Sequence, residues 1–326
     1  MRTAVRVAGV LLMLGAISVC ALAIASNWHT VGPAITHADL QTLLLALVAA
    51  AASMLGLAVL WWHALRRFGS PAGFLPTLAW YFGGEVGKYV PGGVWPVLGR
   101  GELAWRHGAI SRGVGYATTL ICYAAMTAGA ALVCGVLGPI VASNGNSMSW
   151  AWALVGLVPA VTICAHPRWM RLPLGLGARL THGRVALQPI SWPRMSLLIA
   201  GSTPTWLLVG LTSVLVARAF GFHQEPVRVM FAAVVAWIVS FLAVPVPSGA
   251  GLREILFVAM CGLGTAEGAA VAATARFLFI CVDGLGAAAG LFYTRWRRSR
   301  VETGTSGPDD QRIGSGRLEA GARSGT

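Results

Sequence analysis

The sequence predicts an all-α integral membrane protein, with about six transmembrane helices plus two re-entrant helical hairpins in an inverted-repeat arrangement, about eight hydrophobic segments in all. Three observations lead there. The chain is 56% hydrophobic and 11% charged with a mean hydropathy of +0.70, which leaves too little polar surface to coat a soluble globule. Several runs reach the roughly 20 apolar residues that a spanning helix needs. Two further apolar segments are broken by glycine and proline, and such bare backbone is tolerated at membrane depth only where it is buried in protein or lines a polar cavity.

The net charge of +13 does not indicate nucleic acid, because the basic residues are scattered through short inter-helix loops and the end of the last helix. Topology signals and anionic headgroups account for them there. The 6 cysteines lie in or beside apolar runs without a CxxC pair, so neither a disulfide framework nor a zinc site is indicated. The 7 histidines are spread over loops and helix ends, and no chemistry is assigned to them. Neither a metal nor a cofactor is expected.

In chain order, Arg2 and Arg6 precede an apolar run from Val7 to Ala25, read as a first helix rather than a cleaved signal. Asn27 to Asp39 lacks Lys and Arg, whereas Arg66 and Arg67 follow the second run, Leu40 to Trp62. The positive-inside rule therefore places the N-terminus in the cytoplasm. Next comes the first interrupted segment, about 73–107, with cytoplasmic charge at both flanks; a re-entrant hairpin fits this better than a crossing. Gly113 to Ile140, Trp150 to Ala165 and Met195 to Phe220 read as crossings. Val227 to Leu263 is the second interrupted segment, and Ala269 to Tyr293 is the last helix. Arg295, Arg297, Arg298 and Arg300 put its end inside, so residues 1–296 form the transmembrane domain and 297–326 a disordered cytoplasmic tail.

Each half then reads helix, helix, broken hairpin, helix. Three crossings per half invert the second half relative to the first, and paired interruptions in inverted halves point to a transporter's binding site. Pro91, Gly92 and Gly93 break the first hairpin, and Pro247, Gly249 and Gly251 the second. Ionisable groups cluster at both: Glu85, Lys88, Arg100 and Glu102 at one, Arg253 and Glu254 at the other. Such groups inside a membrane are costly and read first as functional. Lys88, Arg100, Arg253 and Arg276 are the candidate cations for an anionic headgroup, since arginine grips phosphate bidentately and helix N-termini favour anions. Glu85, Glu102, Glu254 and Asp283 are the candidate orienting or coupling acids. Arg276 and Asp283 share a face of the last helix and are read either as a mutually neutralising pair or as part of the same cavity.

At Gly-Lys-Tyr-Val-Pro-Gly-Gly-Val-Trp with Arg100, and at Pro-Ser-Gly-Ala-Gly-Leu-Arg-Glu followed by the helix bearing Arg276, the chain resembles the membrane-only, flippase-like members of the lysylphosphatidylglycerol synthase transmembrane-region family. The resemblance covers roughly residues 5–293. It implies a multi-pass protein of the bacterial inner membrane with re-entrant helices, one that flips an anionic lipid such as a modified phospholipid or an isoprenoid-phosphate-linked sugar; the loop charges place both termini in the cytoplasm. Many members carry an Asn-rich first motif ending in Gly-Gly-Asp where this chain has Gly-Lys-Tyr, which leaves the lipid's identity open. Nothing after Arg300 can form the aminoacyl-transferase domain of the bifunctional synthases, so aminoacylation is not expected. Expected partners are the bilayer and an anionic lipid, with a lipid-modifying synthase or glycosyltransferase as a further candidate. A membrane transferase acting on a lipid-linked substrate and a non-transporting lipid-binding subunit stay open as alternatives; for the first, Ser248 is a conceivable nucleophile without a base near it in sequence.

Overall fold

The computed structural model describes residues 25, 28–89, 94–144, 148–164, 191–242 and 251–305. Outside it lie the expected first helix up to its final alanine, the breaks at Pro91, Gly92, Gly93, Pro247 and Gly249 together with Ser248, most of the basic 166–194 loop, and residues 306–326. The described residues are all-α, without a strand. In chain order the helices are α1 (Trp28–Thr36), α2 (Leu40–Arg67), α3 (Phe74–Glu85), α4 (Trp95–Arg106), α5 (Arg112–Ser143), α6 (Leu157–Cys164), α7 (Trp192–Ala219), α8 (Pro226–Leu242), α9 (Leu252–Cys261) and α10 (Thr265–Thr305).

Among the described residues, 4 stretches are long and apolar enough to cross a membrane: α2, α5, α7 and Thr265–Trp296 of α10. The expected crossing from Trp150 to Ala165 is shorter and less regular. A 3₁₀ run, Ser149–Gly156, gives way to α6, whose third residue is Pro159. Proline lacks the N–H that a continuous α-helix through this point would use, and it is accommodated in a first turn. The last helix runs on to Thr305, into the segment expected to be the tail.

α2 shows how sequence becomes helix and helix becomes core. Asp39 caps it, its carboxylate accepting from the Gln41 N–H at 3.1 Å. Ala46, Ala50, Met54, Leu57, Trp61 and Leu65 then recur at helical spacing and are all buried. α2 packs along α7 at a close crossing. A Cβ at Gly56 would lie 2.6 Å from Thr205 Cγ2, and one at Gly201 would lie 2.8 Å from Leu60 Cδ2.

The two interrupted segments are helical pairs. α3 and α4 have 12 residues each. At 1.5 Å per residue each reaches about 18 Å, well short of the roughly 30 Å hydrocarbon core. They pack on one another at Gly84, where a Cβ would meet Arg100 Cγ at 2.5 Å and Arg100 N at 2.9 Å. α8 and α9, of 17 and 10 residues, pair in the same way.

The packing repeats. α2 touches α3 as α7 touches α8; α4 lies on α5 as α9 lies on α10; α3 rests on α10 as α8 rests on α5. Exchanging α2–α5 for α7–α10 maps each of these pairs onto another, so each interrupted segment leans on the last helix of the other half. That exchange carries both segments to one place.

Candidate functional site

The place is a cavity of about 300 Å³. Met54 of α2, Met126 of α5 and Ile280 of α10 line it, and each lies near the middle of its spanning stretch. Lys88 and Arg100 reach it from the first interrupted segment, Arg253 from the second, and Arg276 from the last helix. All four candidate cations therefore share one chamber.

The first segment delivers its charges through a turn. α3 ends at Glu85, and the 3₁₀ stretch Val86–Tyr89 swings Lys88 under it. Lys88 Nζ lies 3.1 Å from Glu85 Oε2 and 2.6 Å from Asp283 Oδ2. Tyr89 donates its hydroxyl to the same Asp283 oxygen at 2.7 Å. Arg100, on α4, donates to the other Glu85 oxygen. Its guanidinium carbon sits 3.8 Å from the centre of the Tyr81 ring and 5.6 Å from that of Tyr123. Arg100 is 2% exposed, so the aromatic faces and Glu85 replace water around it.

The second segment is organised by Gly251 and Glu254. Gly251 has φ +84°, a left-handed conformation that only glycine adopts at little cost. Glu254 reaches back to accept from the Gly251 N–H at 2.8 Å, closing the start of α9. Its other oxygen accepts from Arg276 at 2.6 Å. Arg253, next in sequence to that acid, turns the other way. Its guanidinium carbon lies 5.3 Å from the Trp237 ring and 5.4 Å from the Phe279 ring, and it forms no ion pair among the described residues.

Four cations thus face three carboxylates, Glu85, Glu254 and Asp283, leaving one positive charge over, on Arg253. Two buried donors that line the cavity, Trp237 Nε1 and Ser240 Oγ, have no hydrogen-bond partner among the described residues. A wall with a spare cation and two spare donors is set up for an acceptor-rich anion.

Not every candidate belongs here. Glu102 lies outside the cavity, where Arg112 Nε donates to it at 2.9 Å and Arg106 Nε at 3.2 Å. The Arg112 hydrogen bond, with that of Arg106 behind it, holds its carboxyl below the ordinary carboxylate range. Arg276 and Asp283 do not pair with each other; each ties α10 to a different interrupted segment. Gly251 shapes the start of α9, and the remaining break residues lie outside the described part of the chain. Sequence reasoning also passed over the aromatic lining. Of the 5 tyrosines in the chain, Tyr81, Tyr89 and Tyr123 all line the cavity, and a hydroxyl-bearing ring inside an apolar run was the available signal.

The model of the lysylphosphatidylglycerol synthase TM region matches residues 6–282. The chain belongs to that family. The match takes in both interrupted segments, the four cations of the cavity and the acids Glu85 and Glu254, and ends one residue before Asp283. Membership makes this a multi-pass membrane protein tied to lipid handling. No curated protein matches the chain.

Proposed function

We propose that this family member moves an anionic, phosphate-bearing lipid between bilayer leaflets, holding the headgroup in the central cavity. The supporting observation is Arg253, without an ion pair among the described residues, beside Trp237 Nε1 and Ser240 Oγ, likewise without a hydrogen-bond partner among them, in a chamber at the mid-depth of three spanning helices. A phosphate there would take the guanidinium fork and both donors, while the apolar and aromatic remainder of the lining shields it from the hydrocarbon. In this reading the short pairs α3–α4 and α8–α9 are re-entrant, each returning to the face it came from, the two faces being opposite. The termini lie in the cytoplasm and the membrane is a bacterial inner membrane.

The ion pairs supply the moving parts. α10 is held to the first segment by Asp283–Lys88 and to the second by Arg276–Glu254. Opening the chamber toward one leaflet parts one of these pairs while the other holds, as alternating access requires of two repeats around a fixed site. A headgroup phosphate stabilises whichever cation has been released.

Leaflet transfer of labelled lipids in vesicles reconstituted with the full chain tests this. Anionic or isoprenoid-phosphate lipids are transferred, and Arg253→Gln slows transfer roughly tenfold or more, the worth of a charged hydrogen bond. Absence of transfer for every such lipid by the unaltered chain sinks the proposal.

A further inference from the structure

A second cavity, unrelated to the central one, opens where α2 and α7 part. Their tight crossing at Gly56–Thr205 and Leu60–Gly201 ends toward the C-terminal end of α2 and the N-terminal end of α7. From there a groove of about 580 Å³, lined by Gly56, Leu60 and Gly201 themselves, runs between the helices. Leu60, Leu197 and Leu198 give it apolar walls, and Leu197 is 64% exposed. His63, Arg67 and Arg194 rim it, and among the described residues no acid does.

Neither Arg67 nor Arg194 forms an ion pair among the described residues. Two guanidiniums without an ion pair among the described residues, set over apolar walls, suit an anion. The apolar walls, on helices that span a membrane, decide which anion: one that carries acyl chains. We infer that this groove is a resident site for an anionic phospholipid, its phosphate between Arg67 and Arg194 and its first methylenes along Leu60, Leu197 and Leu198. Basic pockets between spanning helices hold anionic headgroups by this combination.

The site is separate from the transfer path, and its test does not depend on transfer. The full chain, purified and exposed to phosphatidylglycerol with a photoreactive diazirine in one acyl chain, is expected to be labelled in the peptide containing Leu197 and Leu198. Arg67→Gln with Arg194→Gln lowers that labelling roughly thirtyfold, given the contribution of two arginines near a membrane surface. Arg253→Gln leaves it unchanged. Phosphatidylcholine carrying the same acyl chains labels the peptide far less. Equal labelling in the double variant, equal labelling by phosphatidylcholine, or no labelling of this peptide in the unaltered chain would each overturn the inference.

Discussion

Lys88 Nζ stands 2.6 Å from Asp283 Oδ2, joining residues far apart in sequence and tying the first interrupted segment to the last helix. Asp283 is 1% exposed, and its second oxygen has no hydrogen-bond partner among the described residues. Asp283→Asn keeps the shape but discharges the tie, leaving Lys88 with Glu85 alone. Unfolding of this variant, of Lys88→Met and of the double variant should show a coupling of about 0.5–3 kcal/mol between the two positions. Additive effects would mean that the pair does not act as a unit.

Arg253 and Arg276 line the same cavity and should respond differently to the same substitution. Arg276→Gln strands Glu254, its partner at 2.6 Å, in a partly buried site. Arg253→Gln strands no carboxylate. Thermal unfolding should therefore separate them, with Arg276→Gln the less stable, while Arg253→Gln folds like the parent and loses transfer. If Arg253→Gln were the less stable of the two, Arg253 would be a structural cation and not a binding one.

Gly84 allows α3 and α4 to meet. A methyl group there would lie 2.5 Å from Arg100 Cγ and 2.9 Å from the Arg100 amide nitrogen, and backbone cannot step aside as a side-chain tip can. Gly84→Ala should cost about 1–3 kcal/mol, as overpacked cores do. It should also displace Arg100 from Glu85, so transfer falls with stability. Gly69→Ala should leave Arg100 in place: no atom would contact its methyl, and its φ of +86° makes any loss one of backbone strain alone.

The charged residues of the cavity were legible because an ionisable side chain inside an apolar run has few reasons to be there. Proline and glycine marked the interruptions for the same reason: they break the one structure that satisfies backbone in lipid. Pairing was less legible. Spacing places Arg276 and Asp283 on one face of α10, yet each answers a charge on a different segment, because partners are chosen by how α3 and α9 pack against that face. Glu102 sits two residues from Arg100, and the helical turn between them sends one side chain inward and the other to the surface. The aromatic lining carried no charge to betray it.

The surface knot at Glu102 predicts a sign for pH. Its carboxyl, ordinarily near 4.5, is lowered by the Arg112 and Arg106 hydrogen bonds. A depressed folded-state value means that the knot's stabilisation is complete above the ordinary value and is lost as pH falls through the lower one. Unfolding of Glu102→Gln compared with the parent should show any difference at pH 7 shrinking as the medium is acidified. Transfer at neutral pH should be unaffected, since Glu102 does not touch the cavity.

Ser240 offers a test in which stability and activity move in opposite directions. Its hydroxyl is buried, 4% exposed, and has no hydrogen-bond partner among the described residues; neither has the Trp237 indole N–H beside it. A buried polar group without a partner carries a desolvation cost of about 1–3 kcal/mol. Ser240→Ala removes that cost and should raise the unfolding temperature. If the hydroxyl waits for a headgroup oxygen, the same change should slow transfer of the anionic lipid and leave binding at the α2–α7 groove untouched. A hydroxyl kept only for packing would give no loss of transfer. Trp237→Phe, which preserves the ring beneath Arg253 and deletes only the indole donor, should repeat the pattern, with transfer falling while the aromatic seat of the guanidinium stays in place.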